Sequence, residues 1–113
     1  MKLKSKPTLR PKHKYVVFKI HSTAKLQYND MKNAIMNALM NWMGERDFAD
    51  AGIWLIKNLW EPGEQKGFIK CAPKYVDAVK MSLMLIHQIG DEKVAFQSLW
   101  VSGTIKSGKE KTE

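Results

Sequence analysis

The run YVVFKIH, Tyr15 to His21, constrains the fold more than any other stretch of the chain. Its β-branched and aromatic residues favour extended backbone. Both alternating sets carry apolar side chains, as expected of a central strand. A helical period follows, with Met31, Ile35, Ala38, Leu39 and Trp42 at i, i+4, i+7, i+8 and i+11 and Gly44 positioned to end it. Glu45 to Ala51 suggests a short helical turn around Phe48. IWLIKNLW, residues 53 to 60, reads as a strand, EPGEQ, 61 to 65, as a turn, and KGFIKCA, 66 to 72, as the returning strand of a hairpin. Pro73 opens a second helix with a buried stripe of Val76, Val79, Leu83 and Ile86, and Gly90 is expected to end it. The last strand is Val94 to Val101.

The order β-α-β-β-α-β is the split βαβ arrangement, an α+β two-layer sandwich. Right-handed crossovers place both helices on one face of a four-stranded antiparallel sheet and leave the other face open. Ferredoxin-like and RNA-recognition-like domains share this plan, so the fold alone does not select a function.

Charge is segregated to the ends. The net charge is +8 over 113 residues, yet residues 1 to 14 carry +6 from Lys2, Lys4, Lys6, Arg10, Lys12 and Lys14 with no acid. From residue 102 onward Lys106, Lys109 and Lys111 outweigh Glu110 and Glu113 by +1, which leaves +1 for everything between. The expected organisation is a basic extended arm over 1–13, a folded domain over 14–103 and a basic flexible tail over 104–113. Pro7 and Pro11 keep the arm from forming a helix, and such arms neutralise phosphates with release of counterions. A solubilising tail is the alternative. The single cysteine, Cys71, precludes an internal disulfide and suits a reducing cytosol, so the expected location is cytoplasmic. No apolar segment follows the first lysines and no run approaches the length that crosses a bilayer, so neither a secretory signal nor a membrane partner is expected.

Reactive constellations are missing from the pattern. Cys71 has no base suggested nearby, and His13, His21 and His87 lack metal-ligand spacing. Asp47 with Asp50 and Asp91 with Glu92 read as solvated turn or capping acids. No catalytic residue and no metal or cofactor ligand is therefore assigned. Lys66, Gly67 and Phe68 match the start of the base-stacking motif of single-strand RNA readers, but the later aromatics are absent. Phe68 stands between core packing and RNA contact. Met36, Met40 and Met43 lie on a different side of the first helix from its core stripe, which implies either burial against another protein or a wide core stripe.

TLRPKHKYVVFKI (8–20), GFIKCAPKYVDAVKMSLMLIHQIG (67–90) and VSGTIKSGK (101–109) together resemble the small RNA-recognition-like subunit of archaeal and eukaryotic ribonuclease P, the protein component 2 family of archaea. The resemblance runs in order over nearly the whole chain, and Val101 to Lys106 is its most characteristic part. It implies a noncatalytic subunit of a ribonucleoprotein in which the RNA, with bound magnesium ions, removes the 5′ leader of precursor tRNA. Implied partners are the ribonuclease P RNA, precursor tRNA indirectly, and a larger TIM-barrel-like protein subunit; self-association is a further expectation. Arg10, Lys12, His13 and Lys14 with Lys106 and Lys109 are the expected phosphate contacts, Lys19, Phe68 and Lys70 the sheet candidates, Met36, Met40 and Met43 the protein interface, and Gly103 the hinge that turns the tail toward the arm. A general structured-RNA-binding protein of ribosomal type is the alternative. A small-ligand regulatory domain would leave the basic arm unexplained, and an acylphosphatase-like enzyme needs a phosphate loop that neither Arg10 nor Arg46 follows.

Overall fold

In the computed structural model, which describes residues 12–113, strand β1 (Lys14–Ser22) lies third in a five-stranded antiparallel sheet of order β2-β3-β1-β5-β4. The other strands are β2 (Trp54–Leu55), β3 (Lys66–Cys71), β4 (Gln88–Ile89) and β5 (Glu92–Ser102). Helices α1 (Tyr28–Met43), α2 (Glu45–Ala51), α3 (Val76–Met84) and α4 (Ile105–Lys111) complete the described residues with two short 3-10 turns. The α+β class and the split βαβ plan are as expected. The arm over 1–11, with Arg10, lies outside the described residues.

Alternation along β1 sorts its side chains onto two buried faces. Val16, Phe18 and Ile20 join Met31, Ile35 and Leu39 of α1, Val79 and Leu83 of α3, and Ile69, Cys71 and Phe96 of the flanking strands in one core cluster. Phe18 lies between Trp60 and Phe96, with ring centroids 6.4 and 5.8 Å away. Burial of each large side chain in such a cluster contributes ~1.5–3 kcal/mol. Val17 points the other way and is nonetheless 0 % exposed, as Phe68 beside it is 1 % exposed. The second face is therefore covered where the sequence reading leaves it open.

The cover is α4, which corrects the flexible tail expected over 104–113. Thr104 caps the helix by accepting a hydrogen bond from the Ser107 N–H at 3.1 Å. At Gly108 a Cβ would stand 2.8 Å from Phe68 Cε2 and 3.0 Å from Ser102 Oγ, so only glycine lets the helix come so close to the sheet. Ten residues rich in lysine read locally as coil, but the apolar surface of Val17 and Phe68 decides their conformation.

The edges bring two further corrections. The sheet has a fifth strand, β4, because Gly90 (φ +61°) sits in a tight hairpin turn between Ile89 and Glu92 rather than at a helix end. The expected strand over 53–60 pairs only at Trp54 and Leu55. Beyond them the chain winds through a 3-10 turn at Lys57–Leu59 that carries Trp60 onto Phe18. No helix among the described residues is long and apolar enough to cross a membrane.

Closeness at Gly108 yields a test. Alanine would ordinarily gain about 1 kcal/mol over glycine in a helix interior. Gly108→Ala is expected instead to lose roughly 1–2 kcal/mol, through overpacking against Phe68. Gly103→Ala should change stability by under ~0.5 kcal/mol, because an added Cβ there meets only Lys14 Nζ, at 3.9 Å. Urea unfolding of both variants checks the contrast.

Candidate nucleic-acid interface

Antiparallel pairing of β1 with β5 sets Tyr15 opposite Ser102, so the start of β1 and the end of β5 lie side by side. Lys12 and His13 are exposed as they lead into β1, and the Lys14 ammonium lies over Gly103. Lys106 and Lys109 are exposed and three residues apart, hence on one side of α4. Gly103 does not act through glycine-only geometry: its backbone is outside the left-handed region. The turn is made instead by the Ser102 hydroxyl, which donates to the Thr104 carbonyl at 2.6 Å, and by the cap on Ser107.

Register places Tyr15, Val17 and Lys19 of β1, Phe68 and Lys70 of β3, Trp54 of β2 and Trp100 and Ser102 of β5 on the sheet face away from the main core. Phe68 is sealed beneath Gly108 and cannot reach a base, so of its two readings packing is the one realised. The preceding residues of that motif also have structural reasons. A Cβ at Gly67 would lie 2.7 Å from the Phe18 ring. Lys66 is buried, donates to the Thr112 carbonyl at 3.0 Å and stands 3.9 Å from Glu61. Lys66 thus ties the end of α4 to the sheet, a role its place in an RNA-reading pattern gave no reason to expect. Lys19 and Lys70 are half-exposed, and Lys111 sits 5.5 Å from the centroid of the Trp100 ring.

On the helix layer Met36 and Met43 are half-buried and pack against the core, which is the wide-stripe reading for these two; Met40 is exposed. Trp42, 63 % exposed, shares a shallow groove with Ala38, Leu85 and Ile86, and Met81 and Met84 add apolar surface on α3. Trp42 and Leu85 were hidden in the sequence because both continue helical or apolar runs that otherwise face inward.

Burial pushes the Cys71 thiol up to about 11, which leaves it protonated and unreactive at neutral pH. The Tyr75 hydroxyl donates to Asp50 at 2.7 Å, and that hydrogen bond, above other causes, raises its pKa to about 12. His21 pairs with the Gln97 amide at 2.7 Å. Among the described residues no three His, Cys, Asp or Glu side chains gather to hold a metal ion.

The raised thiol has a consequence for stability. Its folded value of about 11 exceeds the ordinary 9.0, so its contribution is complete below pH 9 and is lost as the pH rises toward 11. Tyr75, raised from 10.0 to about 12, extends the decline. Melting temperatures from pH 8 to 11 should fall, and Cys71→Ala, although less stable throughout, should show the shallower slope.

Comparison with known sequences gives a consistent relationship. The sequence model of the Rpp14/Pop5 family matches residues 14–112. The ribonuclease P protein component 2 of Pyrococcus furiosus is 40% identical over 105 residues, covering 93% of this chain and 86% of the relative. That of Pyrococcus abyssi is 36% identical over 112 residues, covering 98% and 93%. The Methanocaldococcus jannaschii protein of the same name is 34% identical over 103 residues, covering 91% and 74%. Among solved structures, a chain in the cryo-EM structure of yeast ribonuclease MRP superposes with a TM-score of 0.63 over 84% of this chain and 76% of that one; at 11% identity this likeness concerns the fold.

Proposed function

The chain belongs to the Rpp14/Pop5 family, and on that premise we propose that it is a noncatalytic protein subunit of ribonuclease P that binds and stabilises the RNA for removal of the 5′ leader of precursor tRNA. The observation that carries this reading is that the start of β1, with Lys12, His13 and Lys14, lies beside the end of β5, from which α4 with Lys106 and Lys109 follows. Lys12, His13 and Lys14 lead into β1 and Lys106 and Lys109 stand on α4; Arg10, a further expected contact, lies outside the described residues. Together they offer a folded RNA a set of phosphate contacts without demanding a sequence, and each phosphate neutralised releases condensed counterions.

In this reading the magnesium ions belong to the RNA, which carries the hydrolysis, and precursor tRNA is engaged indirectly. The protein's part is to lower the electrostatic cost of packing RNA strands together. Protein partners, the larger TIM-barrel-like subunit or a second copy, are assigned to the helix layer around Met40, Trp42 and Leu85, the exposed apolar side chains there. The site of action is the cytoplasm.

Cleavage of precursor tRNA by the cognate RNA and protein set, with and without this chain, tests the reading. Rescue is expected at low magnesium and should become unnecessary at high magnesium, where the ions themselves screen phosphate repulsion. Tight RNA binding without rescue would favour a general structured-RNA-binding protein of ribosomal type. A second measurement addresses the cationic surface. Lys106→Ala with Lys109→Ala should weaken RNA binding and flatten the dependence of log affinity on log salt by roughly 1.5–2, the share of two phosphate contacts. An unchanged slope would take α4 off the RNA.

A further inference from the structure

Trp54 is 64 % exposed although it sits within a strand, while its neighbour Leu55 is buried in the core. Alternation thus sends the largest side chain of the edge strand onto the second sheet face and into solvent. The sheet register gives it specific company. Trp54 pairs with Lys70, Lys70 with Tyr15 and Tyr15 with Ser102, so the four residues form one row across four strands, all on one face. At ~4.8 Å between strands, the two aromatic residues stand about 10 Å apart with Lys70 on the strand between them.

The adjacent row is Phe68, Val17 and Trp100, and α4 lies over Phe68 and Val17. The familiar stacking position of the RNA-recognition plan, Phe68, is therefore occupied from within. Among the described residues the accessible aromatic side chains on this face are Trp54, half-exposed Tyr15 and Trp100, the last 42 % exposed beside Lys111; Trp54 and Tyr15 are the two that share a row with Lys70.

We propose that Trp54, Lys70 and Tyr15 form a stacking site for unpaired nucleotides of RNA, one base on each aromatic face and the intervening phosphate on Lys70. Every base has a π-face, so such a site is tolerant of sequence. It selects unpaired segments, because a base inside a helix has no face to offer. The charge argues for RNA over protein here. Lys70 divides the aromatics, and half-exposed Lys19 lies on the same face of β1 as Tyr15. The larger apolar exposure lies on the helix layer instead.

The site deepens the proposed function and rests on it for the identity of the RNA, but its test needs no ribonuclease P. The full chain is titrated against a fluorescein-labelled 12-nucleotide oligouridylate and a 12-base-pair RNA duplex at one salt concentration. Trp54→Ala should weaken binding of the single strand by roughly 5- to 100-fold, the worth of one base stack, and leave the duplex unchanged. Trp54→Phe should recover most of the loss, and Trp42→Ala, on the helix layer, should have no effect. Trp54 is exposed, so its removal should leave the fold intact, and a melting curve of each variant checks this. Equal binding of the single strand by wild type and Trp54→Ala, or an equal loss on the duplex, would overturn the site. Loss of co-elution with the larger protein subunit at unchanged oligonucleotide affinity would overturn it too and give this face to protein. Selective loss on the single strand together with failure to rescue cleavage would keep the stacking site and reject the ribonuclease P reading; rescue with no single-strand effect would do the reverse.

Discussion

Strand β1 must be covered on both sides, and the remaining architecture follows from how that is done. Val16, Phe18 and Ile20 could be satisfied by α1 and α3 alone, as in a plain two-layer sandwich. Val17 could not, nor could Phe68 beside it on β3. Leaving two such side chains in water would forfeit ~1.5–3 kcal/mol each, a large share of the stability of a domain this size. The chain after β5 turns back through the Ser102 and Thr104 hydrogen bonds and lays α4 on that surface. Gly108 sets how near it comes, and Lys66 holds its far end by the Thr112 carbonyl.

This cover also decides what the second face presents. It seals Phe68 and Val17 and leaves Trp54 on β2 and Trp100 on β5 exposed. It also carries Lys106 and Lys109 to the place where β1 begins. A tail free in solution would spread those charges over a large volume. Held on the sheet, they keep a fixed place relative to the end of β5, and fields from cations within ~8–10 Å sum before salt screens them.

How much of this was legible depended on whether local pattern and tertiary demand agreed. They agree for β1, α1 and β3, where period and burial coincide: Met31, Ile35 and Leu39 are buried as their spacing required. They disagree for α4. Ser102, Gly103, Gly108 and the lysines have the composition of a linker, and nothing local says that Gly108 is a contact rather than a flexible joint. The signal lay elsewhere, in the apolar set of β1 that includes Val17: an open second face contradicts a strand apolar on both sides. Gly90 was misplaced for a related reason, since one glycine serves equally to end a helix or to turn a two-residue hairpin. The cationic candidates were readable as residue types, but that Lys66 is spent on α4 while Lys70 stays half-exposed depends on which face each occupies. The exposure of Trp54 followed from alternation with Leu55, once the second face was known to be partly free.

Seven residues are too few to hold a helix in water without help, because nucleation costs more than so short a run of hydrogen bonds returns. The helicity of α4 is consequently borrowed from the sheet. Phosphates bound at Lys106 and Lys109 would in turn favour the ordered helix over a frayed one, since only the ordered form gathers those charges with Lys14. Packing at Gly108 and RNA affinity are then two readouts of one equilibrium, and by linkage whatever loosens the first must weaken the second. What the fold fixes is the geometry in which a small number of cations is held against one end of the sheet.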